Sequence, residues 1–174
     1  NKLFSRIEKY ENISDNMEVE IANYLTQVSE GRLSSESKLQ IRGMLREVTE
    51  IESIGDSCYN LARTINRKRR GNEDFTGAQY EHISQMFQLT DDALTQMIAL
   101  VEDMHQQVDV NKSFNIEMEI NNYRNQLKSR NIEDINNKLY QYQDGVYYMD
   151  MVSESEKLGD YVLNVVQAVI EKKI

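Results

Sequence analysis

Residues 50–60 read EIESIGDSCYN, and the same pattern returns 104 residues later at 154–164 as ESEKLGDYVLN. Both copies follow E-x-E-x-[IL]-G-D-x-x-x-N without a gap. Most of the shared positions hold polar residues or glycine, so the packing needs of a helix do not account for the match. We call this repeated element the acidic motif.

Each copy carries two carboxylates four residues apart, Glu52 with Asp56 and Glu156 with Asp160. At this spacing both side chains project from one face of a helix. Two like charges one turn apart repel each other and weaken the helix slightly unless a cation lies between them. The pairs are therefore candidate cation ligands, and the alternative is a solvated acidic surface.

A glycine precedes the aspartate in both copies, at Gly55 and Gly159. Inside a helix, glycine costs about 1 kcal/mol relative to alanine, so we expect another backbone or a bound group to come close there. Apolar residues at 3-4 spacing place Gly55 on a buried seam, with Glu52 and Asp56 at its margins. The other seam residues are Ile41, Met44, Val48, Ile51, Cys58, Ala62 and Ile65.

Composition indicates an all-α protein. The 174 residues include no proline and only seven glycines, which favours long helices. A net charge of -9 argues against nucleic acid as a partner, and the single cysteine, Cys58, suits a reducing compartment. No apolar stretch is long enough to span a membrane, and no signal peptide is evident. Because the chain begins with Asn1, we expect a piece of a longer protein.

The apolar periodicity and the capping residues predict five helices. Gly31 is expected to end the first helix, Ser34 or Ser35 to begin the second, and residues 76–79 to form a capping box. The basic run 67–70 suits a helix C-terminus, with an acidic partner or anionic lipid as the alternative. The predicted ranges are 3–29, 35–69, 77–109, about 113–129 and 133–172, with Asp144-Gly145 as a weak point in the last.

The third predicted helix has its own regular seam, and the two histidines, His82 and His105, lack a second ligand at helical spacing. We therefore interpret both histidines as residues at the surface or its margin. The seam residues are Tyr80, Ile83, Phe87, Thr90, Leu94, Met97, Val101, Met104 and Val108.

A second repeat links residues 18–27 with residues 117–126, at an offset of 99. The order of the two repeated blocks indicates an internal duplication, with a first half at 1–72 and a second half at 73–174. Only the second half has a leading helix before its first block.

The acidic motif resembles the helix signature of the PhoU family. The resemblance implies an elongated helical bundle of tandem three-helix-bundle repeats, with the first repeat truncated. It also implies metal ligation by Glu52 and Asp56 in the first half and by Glu156 and Asp160 in the second. The preceding helix in that family adds an acid pair, which Glu11 and Asp15 match in the first half.

Two departures from the family pattern affect the second half. At the offset of 99, Val110 and Phe114 replace the acid pair, so we expect weak or absent binding there. Ser53 and Lys157 also stand where the family has arginine. Carboxylate ligands suit Fe, Mn or Mg better than zinc.

The resemblance implies a non-enzymatic regulatory domain associated with phosphate transport. The favoured setting is the cytoplasmic domain of a sodium/phosphate cotransporter-like membrane protein, at the inner face of the membrane and attached only through its parent. Expected partners are the transporter's membrane domain or a phosphate-signalling protein, with homodimer formation as a further option. The alternatives are a free-standing negative regulator of phosphate uptake and a plain helical adaptor without metal. A ferritin-like enzyme would need Glu-x-x-His pairs, which neither histidine forms.

Overall fold

The computed structural model describes residues 2–71, 74–102 and 109–173, and all of its regular structure within these ranges is helical. This confirms the all-α class. None of the described helices carries an apolar stretch long enough to cross a bilayer. The helices are α1 (Lys2–Ser29), α2 (Ser35–Arg69), α3 (Gly77–Glu102), α4 (Val110–Asn136) and α5 (Tyr142–Lys173).

α2 and α3 begin where the sequence predicts, and local hydrogen bonds cap the start of each helix. The hydroxyl of Ser34 accepts from the backbone N–H of Ser37 at 3.1 Å and caps α2. The predicted capping box is confirmed, because the backbone N–H of Thr76 donates to Gln79 Oε1 at 3.0 Å and the N–H of Gln79 donates to Thr76 Oγ1 at 3.2 Å.

Two antiparallel helices, α2 and α5, form the centre of the bundle. Arg46, near the start of α2, donates to Gln167 and Glu171, near the end of α5. On either side of this pair, α1 packs on α2, while α3 and α4 pack on α5 and on each other. The division into two repeated halves is compatible with this arrangement and stays a prediction.

The core lies mainly among α3, α4 and α5. Met86, Ile120 and Val165 are at most 1% exposed, and each comes from a different one of these helices. In contrast, α1 contributes a single buried residue, Leu25. The position of α1 therefore depends on few buried apolar contacts, which makes polar contacts between α1 and α2 important.

The α2 seam is less buried than predicted. Ile41 is buried, but Ile51 and Ile65 are 41% and 36% exposed, and Gly55 and Cys58 are half-buried. Of the described helices, only α1 and α5 pack on α2, and they leave part of its apolar stripe uncovered.

The seam predicted for α3 is only partly right. Ile83, Thr90 and Met97 are buried, whereas Tyr80 and Val101 are exposed. Because α3 packs against both α4 and α5, its buried face is wider than one seam. The additional buried residues are Gln79, Met86, Leu89, Ala93, Gln96 and Leu100. Residues 103–108, which include Met104, His105 and Val108, lie outside the described residues.

α1 ends at Ser29 as predicted, but Gly31 does not adopt the positive φ of a glycine C′ residue. The predicted connection between α4 and α5 was wrong. The predicted break at 129–134 is helical, and the chain turns instead at residues 137–141. There Lys138 takes a left-handed conformation, with φ of 59°. Glycine usually marks such a turn, so a lysine there gives no signal in the sequence.

Candidate metal site between α1 and α2

The crossing of α1 and α2 places acids of both helices side by side. Ser14 faces Gly55 at this crossing, and a Cβ atom at Gly55 would lie 3.4 Å from the Ser14 hydroxyl oxygen, which is an ordinary contact. Glu11 and Asp15 flank Ser14 along α1, and Asp56 follows Gly55 on α2. One carboxylate oxygen from each of these three acids lies within 4.8 Å of the other two.

Two further carboxylates extend this group. Glu18, on α1, accepts a hydrogen bond from Thr49 Oγ1 at 2.8 Å, which fixes it against α2. Glu52 is half-buried, and the charges of Asp56, Glu18 and Asp15 act on it. We call Glu11, Asp15, Glu18, Glu52 and Asp56 the first acidic site. Among the described residues, no lysine, arginine or histidine forms an ion pair with any of the five.

The carboxylates of the first acidic site repel one another, and water screens part of this repulsion because Asp56 is exposed. Partial desolvation, followed by the neighbouring carboxylates, raises the pKa of Glu11, Glu52 and Asp56 above the ordinary values. Asp15 Oδ1 is enclosed and has no hydrogen-bond partner. An enclosed carboxylate oxygen without a donor is unfavourable unless a cation binds it. The residues present therefore fit the metal that the family resemblance implies.

The second copy of the motif meets α4 in a different way. Gly159 lies against Ile120, whose Cδ1 atom would be 3.0 Å from an added Cβ atom. Arg124 Nη2 donates to Glu156 Oε1 at 2.6 Å, and both side chains are largely buried. Asp160 lies beside Glu117, whose carboxylate accepts from the amide of Asn121.

Asp160 has the most strongly shifted carboxyl group of the motif. Partial desolvation raises its pKa to about 6, with Glu156 and Glu117 adding to the rise and Arg124 opposing it. This group of residues, Glu117, Asn121, Arg124, Glu156 and Asp160, is the second acidic site. It differs from the first site because it contains a positively charged side chain, that of Arg124.

The expectation that Val110 and Phe114 stand for the acid pair was wrong. Val110 is the first residue of α4, and Phe114 is 37% exposed. At the offset of 99, Ser14 corresponds to Ser113, but Ile120 is the residue that faces Gly159. The register of α4 on α5 is thus shifted by about two helical turns. The shift brings Glu117 and Arg124, rather than apolar residues, to the motif.

The outer positions of the motif join the two central helices. Asn164, the last residue of the second copy, donates to Glu50 Oε2 at 3.0 Å, and Glu50 is the first residue of the first copy. Sequence reasoning missed this role, although both positions are shared by the two copies. The acidic motif therefore has two faces, one toward the central partner helix and one toward α1 or α4.

The histidine and the cysteine of the described core add no ligand to either site. His82 Nδ1 is 3.0 Å from the hydroxyl of the buried Tyr148, and partial burial lowers the pKa of the imidazole. Cys58 is half-buried, and burial raises the pKa of its thiol. Cys58 packs against the core, as predicted, and the half-buried His82 lies at the margin of the surface, as predicted.

One groove lies apart from both acidic sites. It has a volume of about 730 Å³ and lies between the end of α2 and the start of α3. Its lining is mainly apolar, with Ile65, Phe75, Ile83, Phe87 and Met151, and it shares no residue with the carboxylate groups.

The chain matches no protein-family model, and a search of curated proteins finds no relative.

Proposed function

We propose that the chain is a non-catalytic regulatory domain that binds one metal cation at the first acidic site. The observation that supports this most directly is the approach of Glu11, Asp15 and Asp56 to within 4.8 Å of one another. Their oxygen ligands favour a hard cation such as Mg, Mn or Fe.

The cation would act as a clamp between α1 and α2. Leu25 is the one buried residue of α1, so apolar burial contributes little to the attachment of this helix. Neutralising the carboxylates would therefore strengthen the attachment of α1 to α2 substantially. A ligand that binds only the folded state stabilises it in proportion to the logarithm of its free concentration over its dissociation constant. Metal availability would thus control how firmly α1 is attached and what it presents to a partner.

Calorimetry and thermal unfolding with Mn²⁺, Mg²⁺ and Fe²⁺ test the clamp. Wild type should bind the ion and unfold at a higher temperature in its presence, whereas Asp56→Asn should lose most of both effects. Asp91→Asn is the matched control, because Asp91 is an exposed acid on α3 outside both sites. Equal affinities for wild type and Asp56→Asn would overturn the metal proposal.

The link to phosphate transport rests on the resemblance to the PhoU family. In the favoured setting, the domain belongs to a sodium/phosphate cotransporter-like protein, and the alternative is a free-standing regulator. Uptake of labelled phosphate by cells expressing the chain tests the link. Regulation predicts a change in uptake that Asp56→Asn removes, and unchanged uptake would contradict it.

An adaptor function is the second candidate, favoured by an apolar stripe on α1. Leu3, Tyr10, Met17 and Tyr24 recur every seven residues and are between 54% and 66% exposed. We propose that this stripe receives one amphipathic helix, packed against α1 and α2 as α3 packs against α4 and α5.

A peptide of residues 77–102 provides a probe with the required apolar face. It should bind wild type and fail to bind a Tyr10→Ser/Met17→Ser double variant, while both proteins keep the same melting temperature. Equal binding to the two proteins, or no binding to wild type, would remove the adaptor candidate.

A further inference from the structure

The outer helices present side chains to the two motifs at identical spacing. On α1, Glu11, Asp15 and Glu18 lie around Ser14, the residue that faces Gly55. On α4, Glu117, Asn121 and Arg124 lie around Ile120, the residue that faces Gly159. In both helices the three positions follow each other by four and then three residues, and so share one face.

Because the spacing is the same, Glu18 on α1 and Arg124 on α4 occupy equivalent positions, but their charges are opposite. Glu18 adds to the negative charge around Glu52 and Asp56, and both of these acids experience it. Arg124 donates to Glu156 at 2.6 Å, with side-chain exposures of only 28% and 15% for the two residues. The second site is thus partly neutralised by the chain itself, whereas no ion pair among the described residues neutralises the first.

We propose that Arg124 is a built-in counter-ion that takes, at the second acidic site, the place that a metal cation takes at the first. The chain then binds one exchangeable cation rather than two. This inference rests on the proposed metal function of the first site, and it assigns Arg124 and Glu18 as the residues that decide which site takes metal.

The chemistry of the two cations explains why this difference matters. A guanidinium is always charged and holds a carboxylate with directional N–H donors, and its covalent attachment prevents it from leaving. A divalent ion at the first site exchanges with solution. The attachment of α4 to α5 is therefore constant, while the attachment of α1 to α2 responds to the concentration of the cation.

A reciprocal exchange of charge tests the inference. Glu18→Arg should abolish Mn²⁺ binding and raise the metal-free melting temperature by about 2–4 °C, since a guanidinium would then neutralise the first site. Arg124→Glu should lower the metal-free melting temperature and raise the bound Mn²⁺ from one to two equivalents, counted by equilibrium dialysis. Arg124→Gln serves if the glutamate variant does not fold, and it should show the same loss of stability in milder form.

Two control variants carry the same charge changes outside the acidic sites. Glu20→Arg and Lys128→Glu alter exposed residues of α1 and α4 and should leave both the Mn²⁺ count and the melting temperature close to wild type. If Glu18→Arg behaves like Glu20→Arg, and Arg124→Glu like Lys128→Glu, the inference is overturned.

The metal-free melting temperatures separate this inference from the proposed function. Absence of Mn²⁺ binding by wild type would overturn the metal function and the predicted count of one cation. If the metal-free melting temperature rises for Glu18→Arg and falls for Arg124→Glu, these two residues would still be shown to set the charge balance of the sites.

Discussion

Gly145→Ala should destabilise the protein, because side chains of α4 lie close to the backbone of α5 at this glycine. An added Cβ atom would lie 2.5 Å from Ile135 Cδ1 and 2.9 Å from Asn131 Oδ1. Moving Asn131 would also disturb the hydrogen bond that it accepts from Tyr140 at 2.9 Å. Overpacking costs about 1–3 kcal/mol and a lost hydrogen bond about 1 kcal/mol, against a gain in helix propensity of at most about 1 kcal/mol.

The expected net loss is about 1–3 kcal/mol in the free energy of unfolding, measured by urea denaturation at an unchanged slope. Gly55→Ala is the matched control, since its Cβ atom would make an ordinary contact of 3.4 Å with Ser14. That variant should be neutral or gain up to about 1 kcal/mol. Equal effects of the two substitutions would refute the close approach of α5 to α4 at Gly145.

Three further predictions concern the motif and the core. The raised pKa of Asp160, about 6 against an ordinary 3.8, means that the folded state binds its proton more tightly than the unfolded state does. This contribution to stability is therefore present at low pH and lost as pH rises from about 4 through 6. Because Asp160 is exposed, solvent screening reduces the effect to about 1 kcal/mol. Asp160→Asn should thus stabilise the protein more at pH 7 than at pH 4.5 in urea titrations, and equal effects would contradict the shift. Tyr148→Phe should cost about 1 kcal/mol in thermal unfolding by removing the bond to His82, and no loss would contradict that bond. Asn164→Ala should cost about 1 kcal/mol by removing its hydrogen bond to Glu50, and this cost should largely vanish in a Glu50→Ala background, whereas the same cost in that background would contradict the bond.

Local chemistry was predictable from the sequence because it depends on neighbouring residues. Ser34 caps α2 through a hydroxyl three residues before Ser37, and Thr76 pairs with Gln79 over the same distance. The spacing of four between Glu52 and Asp56 likewise predicted that both acids share one face of α2, and in the structure this face lies toward the acids of α1. Each of these contacts lies within one or two turns of helix, where backbone geometry alone decides which side chains meet.

The packing of one helix on another was harder to predict. The repeat at offset 99 suggested that α4 meets α5 as α1 meets α2, yet Ile120 rather than Ser113 faces Gly159. A shift of two turns keeps the apolar face of a helix in place while changing every polar neighbour. Periodicity is therefore insensitive to this shift, and the roles of Glu117 and Arg124 emerge only from the three-dimensional contacts.

The exposure of the α2 seam is a further property that the apolar periodicity does not predict. The apolar spacing shows which face of α2 is able to pack, but burial depends on the helices that cover it. Ile51 and Ile65 remain partly exposed because only α1 and α5, among the described helices, pack on α2.

The position of a bound cation tests the central claim most directly. Anomalous diffraction from crystals soaked in Mn²⁺ should show one strong peak between α1 and α2, within about 2.5 Å of carboxylate oxygens of Glu11, Asp15 and Asp56. The second acidic site, beside Arg124, should show none. Absence of a peak at the first site, or a peak of equal height beside Asp160, would contradict the account.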